Sequence, residues 1–361
     1  MTDYSSERPI VVGLGELLWD CFGDSRRPGG APANVAFQAN QLGCRGVVCS
    51  RVGDDPLGRE LIDFLDGQGL ETRWVQRDVR HPTGTVTVDA SRADHPEYTI
   101  HEGAAWDHLE FNGDLEDLMS RASAVCFGSL AQRSPASRET IHRALTAATG
   151  ANGSRDSVDS GEDAAVEDAT AADATFAERK ATLGERKATL GEREATLGER
   201  KATLGRSDRG CLVVCDVNLR QHWFDRATIE RSLAAANAVK LNEHEVVVLA
   251  ELLAAESAEP IAFAHAVRQR YDVETVCVTR AERGCLMIAG DETVDSLGVP
   301  VEVADAVGAG DAFTAAWIFG QLQGWPLERQ AKLANRVGAM VAASRGAMPP
   351  LADEFARLIH E

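Results

Sequence analysis

The densest chemistry in this sequence lies in Asp305-Ala306-Val307-Gly308-Ala309-Gly310-Asp311, a glycine-rich turn that runs into the apolar stretch AFTAAWIFG. A turn that enters a helix in this way leaves the N–H groups of Gly308, Ala309 and Gly310 without intrahelical partners. The helix dipole adds positive potential at the same point, so the segment reads as an anion site. Asp311 falls in the first turn of that helix. There its carboxylate can take the proton of an attacking hydroxyl while the N–H groups hold charge spreading over phosphoryl oxygens. An ordinary helix with an acid in its first turn has the same local pattern, and the segment alone leaves both readings open.

A second segment, Pro28-Gly29-Gly30-Ala31-Pro32-Ala33-Asn34, suits polyol hydroxyls. Its glycines permit close backbone approach, Pro32 opens a helix, and Asn34 presents an amide that both donates and accepts. By itself it is equally a glycine turn with a local Asn cap. Other patterns fail on inspection. Gly13-Leu14-Gly15 begins like a dinucleotide fingerprint, but Leu18 stands where the third glycine belongs, and no Walker A sequence occurs. The histidines show no HExxH spacing, so His101, His108 and His222 are read as surface or packing residues.

These segments need a scaffold. The 361 residues are 44% hydrophobic, ample for a sizeable core. Apolar runs at Ala124–Phe127, Leu212–Asp216 and Thr275–Thr279, with others at 10–14, 46–50 and 238–241, read as strands. Helical spacing covers 32–42, 58–68, 243–254, 261–271, 311–322 and 327–343. Strands alternating with helices of this length predict an α/β fold, a Rossmann-like doubly wound and mostly parallel sheet with helices on both faces. Residues 83–89 alternate like a half-exposed strand with a hairpin partner at 98–101.

Charge and composition exclude several classes. There are 37 basic and 56 acidic side chains, a net charge of −19, and such a surface repels a nucleic-acid backbone. A phosphate compound can still be held by a local nest, a helix N-terminus or a metal. No apolar run reaches the roughly 18 residues of a membrane span. The start MTDYSSERPIVVGLG has neither a basic n-region nor a long apolar h-region, so a cytoplasmic location without a secretory signal is expected. The eight cysteines sit mostly in apolar runs without CxxC spacing and are read as reduced and buried.

One stretch, about 149–209, is polar, acidic and then repetitive. ERKATLG recurs as a seven-residue unit at 178–184, 185–191, 192–198 (as EREATLG) and 199–205. One Leu per unit and a Gly in each make a weak coiled-coil seam. The stretch is read as an insertion within one domain that spans 1–361, either mobile or an ordered oligomerisation helix.

Taken together, GGAPAN near the N-terminus and AVGAGDAF near the C-terminus resemble the two signature regions of the ribokinase-like (PfkB) carbohydrate kinases. The likeness spans nearly all the chain outside the insertion. It implies a small β lid from about 14–36 and 83–106, MgATP as donor, and transfer to a primary hydroxyl of a sugar. The wording of GGAPAN and DVNLR looks closest to fructokinases, so fructose is the expected acceptor. The alternatives are 2-keto-3-deoxygluconate or ribose, and, in another class, a kinase-fold binding or regulatory protein that has lost catalysis.

The resemblance also implies roles. Asp311 is the base, with Gly308, Ala309 and Gly310 as the anion hole. Asp20, Gly30, Asn34, Arg133 and Arg220 bind the sugar or the transferred phosphate. Asn242, Glu245, Thr279, Gly284 and Asn335 line the nucleotide, Glu245 acting on Mg²⁺ through water. In the loop from Thr279 to Gly284, Ala281 and Glu282 replace the family's usual Gly and Ser. Asp305 and 344–346 resemble the K⁺-binding part of related kinases, and a homodimer through the lid is expected.

Overall fold

The computed structural model describes residues 8–89, 97–150 and 210–360. The seven-residue repeats, and the insertion from position 151 on, lie outside the described residues. The strands are β1 Ile10–Leu14, β2 Leu18–Phe22, β3 Ser25–Gly29, β4 Arg45–Gly53, β5 Val75–Asp78, β6 Gly84–Asp89, β7 Glu97–Ile100, β8 Ala124–Phe127, β9 Leu212–Asp216, β10 Ala238–Asn242, β11 Thr275–Thr279, β12 Cys285–Ala289 and β13 Glu292–Ser296.

Nine of them form one sheet in the order β13-β12-β11-β10-β9-β8-β1-β4-β5. It is parallel from β11 to β5 and ends in the antiparallel hairpin β12–β13. The central strands read as unbroken apolar runs because both faces are covered. Along β8, Val125 and Phe127 join one core cluster and Ala124 and Cys126 the other, so the two-residue period of the strand feeds both sides. Helix Ala31–Gln41 lies close against β1, where a Cβ on Gly13 would sit 1.9 Å from the Pro32 carbonyl oxygen.

The chain leaves β1 toward β4 and β5 and then returns to β8 on the other side. Strand order therefore reverses between β1 and β8, and open α/β sheets take their ligands at such a point, at the carboxyl ends of the strands. Over this region lies a four-stranded sheet, β3-β2-β6-β7, in which β2 and β6 are parallel and the outer pairs antiparallel. Its inner residues Leu18, Val86, Val88 and Ile100 are buried in the main core.

Several bounds differ from expectation. β4 runs on to Gly53, three residues past the apolar segment, and helix Ala309–Leu322 begins two residues before Asp311. β3, with the polar sequence SRRPG, lies in the 14–36 segment that the resemblance gave to the lid though its own residues have no strand pattern, and the β12–β13 hairpin was not expected. β3 carries mostly exposed side chains and is a strand through its pairing with β2. All eight cysteines are free, and seven are buried.

Candidate active site

The carboxyl ends of the parallel strands deliver the candidate residues to one place. Glu16 follows β1, Arg133 follows β8, Arg220 follows β9, Asn242 ends β10 and Thr279 ends β11. Two helices bring their N-termini to the same place, Ala31–Gln41 carrying Asn34 and Ala309–Leu322 carrying Asp311. Asn34 Nδ2 donates to Asp311 Oδ2 at 2.7 Å.

Asp311 keeps part of its surface open to solvent, yet its carboxyl is raised to about 6. Burial is the main cause and Asp216 adds to it, while Asn34, Lys240 and Arg220 work in the opposite direction. Gly308 caps the helix in the left-handed region at φ 80, and a Cβ there would lie 2.5 Å from that of Ala347. The three expected anion-hole amides are not equivalent. Ala309 N–H turns back onto the Ala306 carbonyl at 3.3 Å, whereas those of Gly308, Gly310 and Asp311 meet no acceptor among the described residues. The Asp311 amide thus stands in the set that the sequence assigned to its three predecessors.

Beneath this turn lies a buried ion pair that sequence reasoning missed. Lys240 Nζ is 3.1 and 3.2 Å from the two Asp216 oxygens, and Thr314 Oγ1 donates to Asp216 at 2.9 Å. Burial works against the ammonium, but Asp216, Glu245 and Asp311 outweigh it and hold Lys240 charged. A Cβ on Gly310 would sit 3.3 Å from Nζ, so positive charge lies directly under the orphan amides. The available signal was a lysine inside the apolar run Ala238-Val239-Lys240-Leu241.

On the small-sheet side, Asp20 sits in β2 between β3 and β6, and its carboxylate makes no hydrogen bond among the described residues. Burial raises its carboxyl to about 6 against the pull of Arg220 and Arg27. Gly30, at φ 114, lets the chain pass against the Glu16 carbonyl, which a Cβ would approach to 2.3 Å. Arg220 is exposed and pairs with no carboxylate among the described residues. Its charge lowers Glu16, Asp20 and Asp311 alike. Arg133 is held quite differently. It grips Asp107 with two bonds of 2.8 Å, donates to the His101 carbonyl, and lies between the rings of Trp106 and Trp223. Its Nη1 and the Trp106 Nε1 are buried donors without partners.

The nucleotide-side candidates form a supporting frame. Asn242 and Glu245 make a reciprocal capping box at the start of helix Glu243–Leu252. Glu245 Oε1 also accepts the Leu219 N–H at 2.9 Å, fixing the loop that bears Arg220. Burial raises the Glu245 carboxyl, with Lys240 opposing. Thr279 Oγ1 reaches the Leu241 carbonyl at 3.4 Å, and Ala281 takes the left-handed φ of 50 where a glycine would be unstrained. Gly284 passes Ser296 closely, and Asn335 Nδ2 ties down Ser296 and Leu297. Asp305 Oδ2 meets Arg27 of β3 at 2.6 Å and the Gly346 amide at 3.1 Å, while Oδ1 takes the Val307 amide. No group of three or more His, Cys, Asp or Glu is placed to hold a metal ion by itself among the described residues. His108 stacks on His81 and His222 tilts against Trp223, while His101 meets Thr87.

Comparison with known proteins adds an independent finding. The family model described as pfkB family carbohydrate kinase matches residues 8–179 and 196–354. The chain is 27% identical to the sugar kinase PH1459 of Pyrococcus horikoshii, covering 96% of this chain and 94% of the other. It is 27% identical to the fructokinase of Salmonella typhimurium, covering 94% of each. The solved structure of PH1459 superposes with a TM-score of 0.69 at 25% identity, covering 96% of this chain and 97% of that one. That of the Xylella fastidiosa fructokinase with bound ATP gives 0.73 at 19% identity, covering 97% and 98%, a likeness of fold.

Proposed function

This chain belongs to the pfkB family of carbohydrate kinases, and on that footing we propose that it transfers the γ-phosphoryl group of MgATP to a primary hydroxyl of fructose. The observation that carries this reading is the 2.7 Å contact between Asn34 and Asp311, which joins a polyol-binding segment to the base beside an anion hole. Fructokinases among the relatives and an ATP complex of PH1459 agree with it.

Asp311 takes the hydroxyl proton as the hydroxyl oxygen attacks the γ-phosphorus, and the bond to the β-phosphate oxygen breaks to release ADP. The amides of Gly308, Gly310 and Asp311, with Lys240 below them, face the charge of the phosphoryl oxygens. Arg220, which pairs with no carboxylate among the described residues, is a cation available to the transferred group. Closure of the small sheet as a lid would exclude water.

Charge also bears on the acceptor. Glu16, Asp20 and Asp311 share the pocket, and Arg133 is already matched by Asp107. That set favours a neutral sugar over the carboxylate of 2-keto-3-deoxygluconate. Magnesium that arrives on the nucleotide keeps its waters and needs only one or two protein carboxylates, which suits a site without a metal cage of its own. When bound it would withdraw charge from the phosphoryl oxygens, and Glu245, whose two oxygens also accept the Leu219 and Asn242 amides, would hold its waters. A potassium ion at Asp305 fits poorly, because the Arg27 guanidinium already occupies that carboxylate. β3 and β7 are the edge strands of the small sheet among the described residues, and a homodimer through the lid would form there. No helix among the described residues is long and apolar enough to cross a membrane.

An ADP-release assay over fructose, ribose, 2-keto-3-deoxygluconate and other hexoses tests the reading. Fructose should give the highest kcat/KM. ADP release with none of them, or preference for the acidic sugar, overturns it.

A further inference from the structure

Glu16 stands at the reversal of strand order, two residues beyond the end of β1 and directly before the small sheet. Its side chain turns inward and is 2% exposed. Oε1 accepts the Ala31 N–H at 3.3 Å, at the first turn of helix Ala31–Gln41. Oε2 is buried and has no hydrogen-bond partner. One helical turn further on, Asn34 is 3% exposed, with Nδ2 bound to Asp311 and Oδ1 again buried without a partner. Two acceptor atoms, on two different elements, thus flank Gly30 with nothing to accept from. Buried acceptors left in this state are costly, and hydrogen-bond donors, such as hydroxyls, are what they lack.

We propose that Glu16 is a further acceptor-binding residue of this kinase, its Oε2 and the Oδ1 of Asn34 receiving hydrogens from two hydroxyls of the bound polyol. The inference rests on the sugar-kinase reading and deepens it, since it commits the site to a ligand that presents hydroxyl donors toward Gly30. Burial raises the Glu16 carboxyl to about 7, and Asp311 adds to that, while the Glu16 and Ala31 amides and Arg220 draw it back toward the carboxylate form. An anionic group at the same point would face Glu16, Asp20 and Asp311 together.

The rival account is that Glu16 does no more than cap helix Ala31–Gln41. That helix has Gly30 at its N-cap, no side-chain cap and no acid in its first turn, so Glu16 does supply a missing acceptor there. Glu16→Gln separates the two roles. The amide oxygen can still accept from Ala31, while the other acceptor becomes an NH2 donor. The experiment measures KM for the sugar, KM for MgATP and Tm for the wild-type enzyme, Glu16→Gln and Glu16→Ala.

Glu16→Gln should raise the sugar KM about 10- to 100-fold, with the MgATP KM and Tm unchanged. Glu16→Ala should do the same and also lose Tm. One monodeoxy form of the sugar should bind wild type and Glu16→Gln equally, which identifies the hydroxyl concerned. An unchanged sugar KM in Glu16→Gln beside an active wild type overturns the role of Glu16 alone. A wild-type chain that phosphorylates no sugar overturns the kinase reading on which the inference rests, and the inference with it.

Discussion

Asn34 Nδ2 donates to Asp311 Oδ2 at 2.7 Å, a bond between residues 277 positions apart that stand in the first turns of two helices. It links the residue proposed to orient the sugar with the residue proposed to deprotonate it. The same bond stabilises the carboxylate form of Asp311 against burial and against Asp216.

Asp311→Asn should lower kcat by at least about a thousandfold, as expected for loss of a general base. The variant should keep wild-type circular dichroism and a Tm no lower than wild type, because it removes a buried charge that faces Asp216. Turnover within tenfold of wild type would remove Asp311 from the role of base.

The pH profile follows from the raised carboxyl. Asp311 accepts a proton only when ionised, so kcat/KM should fall as pH drops through about 6. Asp20, raised to about 6, and Glu16, raised to about 7, lie in the same field with Asp216, Lys240 and Arg220, so the limb reports the group of acids together. Asn34→Ala removes a bond that favours the ionised form and should move the limb to higher pH. A limb displaced to lower pH would contradict the assignment.

Lys240→Met leaves Asp216 buried with only Thr314 as a partner. Breaking a buried pair in this way costs about 3–5 kcal/mol, to be read from urea unfolding. Removing both charges with Lys240→Met and Asp216→Leu should recover part of that loss. Near-wild-type stability in the single variant would show that the pair is not desolvated as described.

The bond from Arg27 to Asp305 joins β3 of the small sheet to the turn that leads into Asp311. Wild-type turnover should therefore be the same in sodium and potassium salts at equal ionic strength. Arg27→Ala frees the carboxylate and should create a potassium stimulation of several-fold. Stimulation of the wild type with none in the variant would reverse the argument.

β8 and β9 pair in parallel, and the helix Pro135–Thr149 precedes the stretch that separates them in sequence. Crossovers of this kind commonly close with loops of about 2–6 residues. Replacing 152–209 by a short Gly/Ser linker should leave Tm and kcat/KM within about twofold of wild type. Loss of soluble folded protein would show that the stretch is part of the fold rather than an insertion in it.

Much was legible in the sequence because it depends on near neighbours. β8, β9 and β11 have the bounds of their apolar runs, since strands covered on both faces need apolar residues at every position. The Gly-rich turns placed Asn34 and Asp311 in first helical turns for the same local reason, the backbone freedom of Gly30 and Gly308. β3 was legible only through the resemblance that gave 14–36 to the lid, because SRRPG becomes a strand only by pairing with β2.

What the sequence determined by itself is the alternating fold and the types of group available for phosphoryl transfer. Only the tertiary structure decided which groups have partners. Among the described residues, Arg133 is neutralised by Asp107 while Arg220 pairs with no carboxylate, and Lys240 lies under the proposed anion hole instead of in solvent. A side chain's charge, protonation and free lone pairs depend on atoms brought within a few ångströms by folding. Sequence spacing does not record those distances.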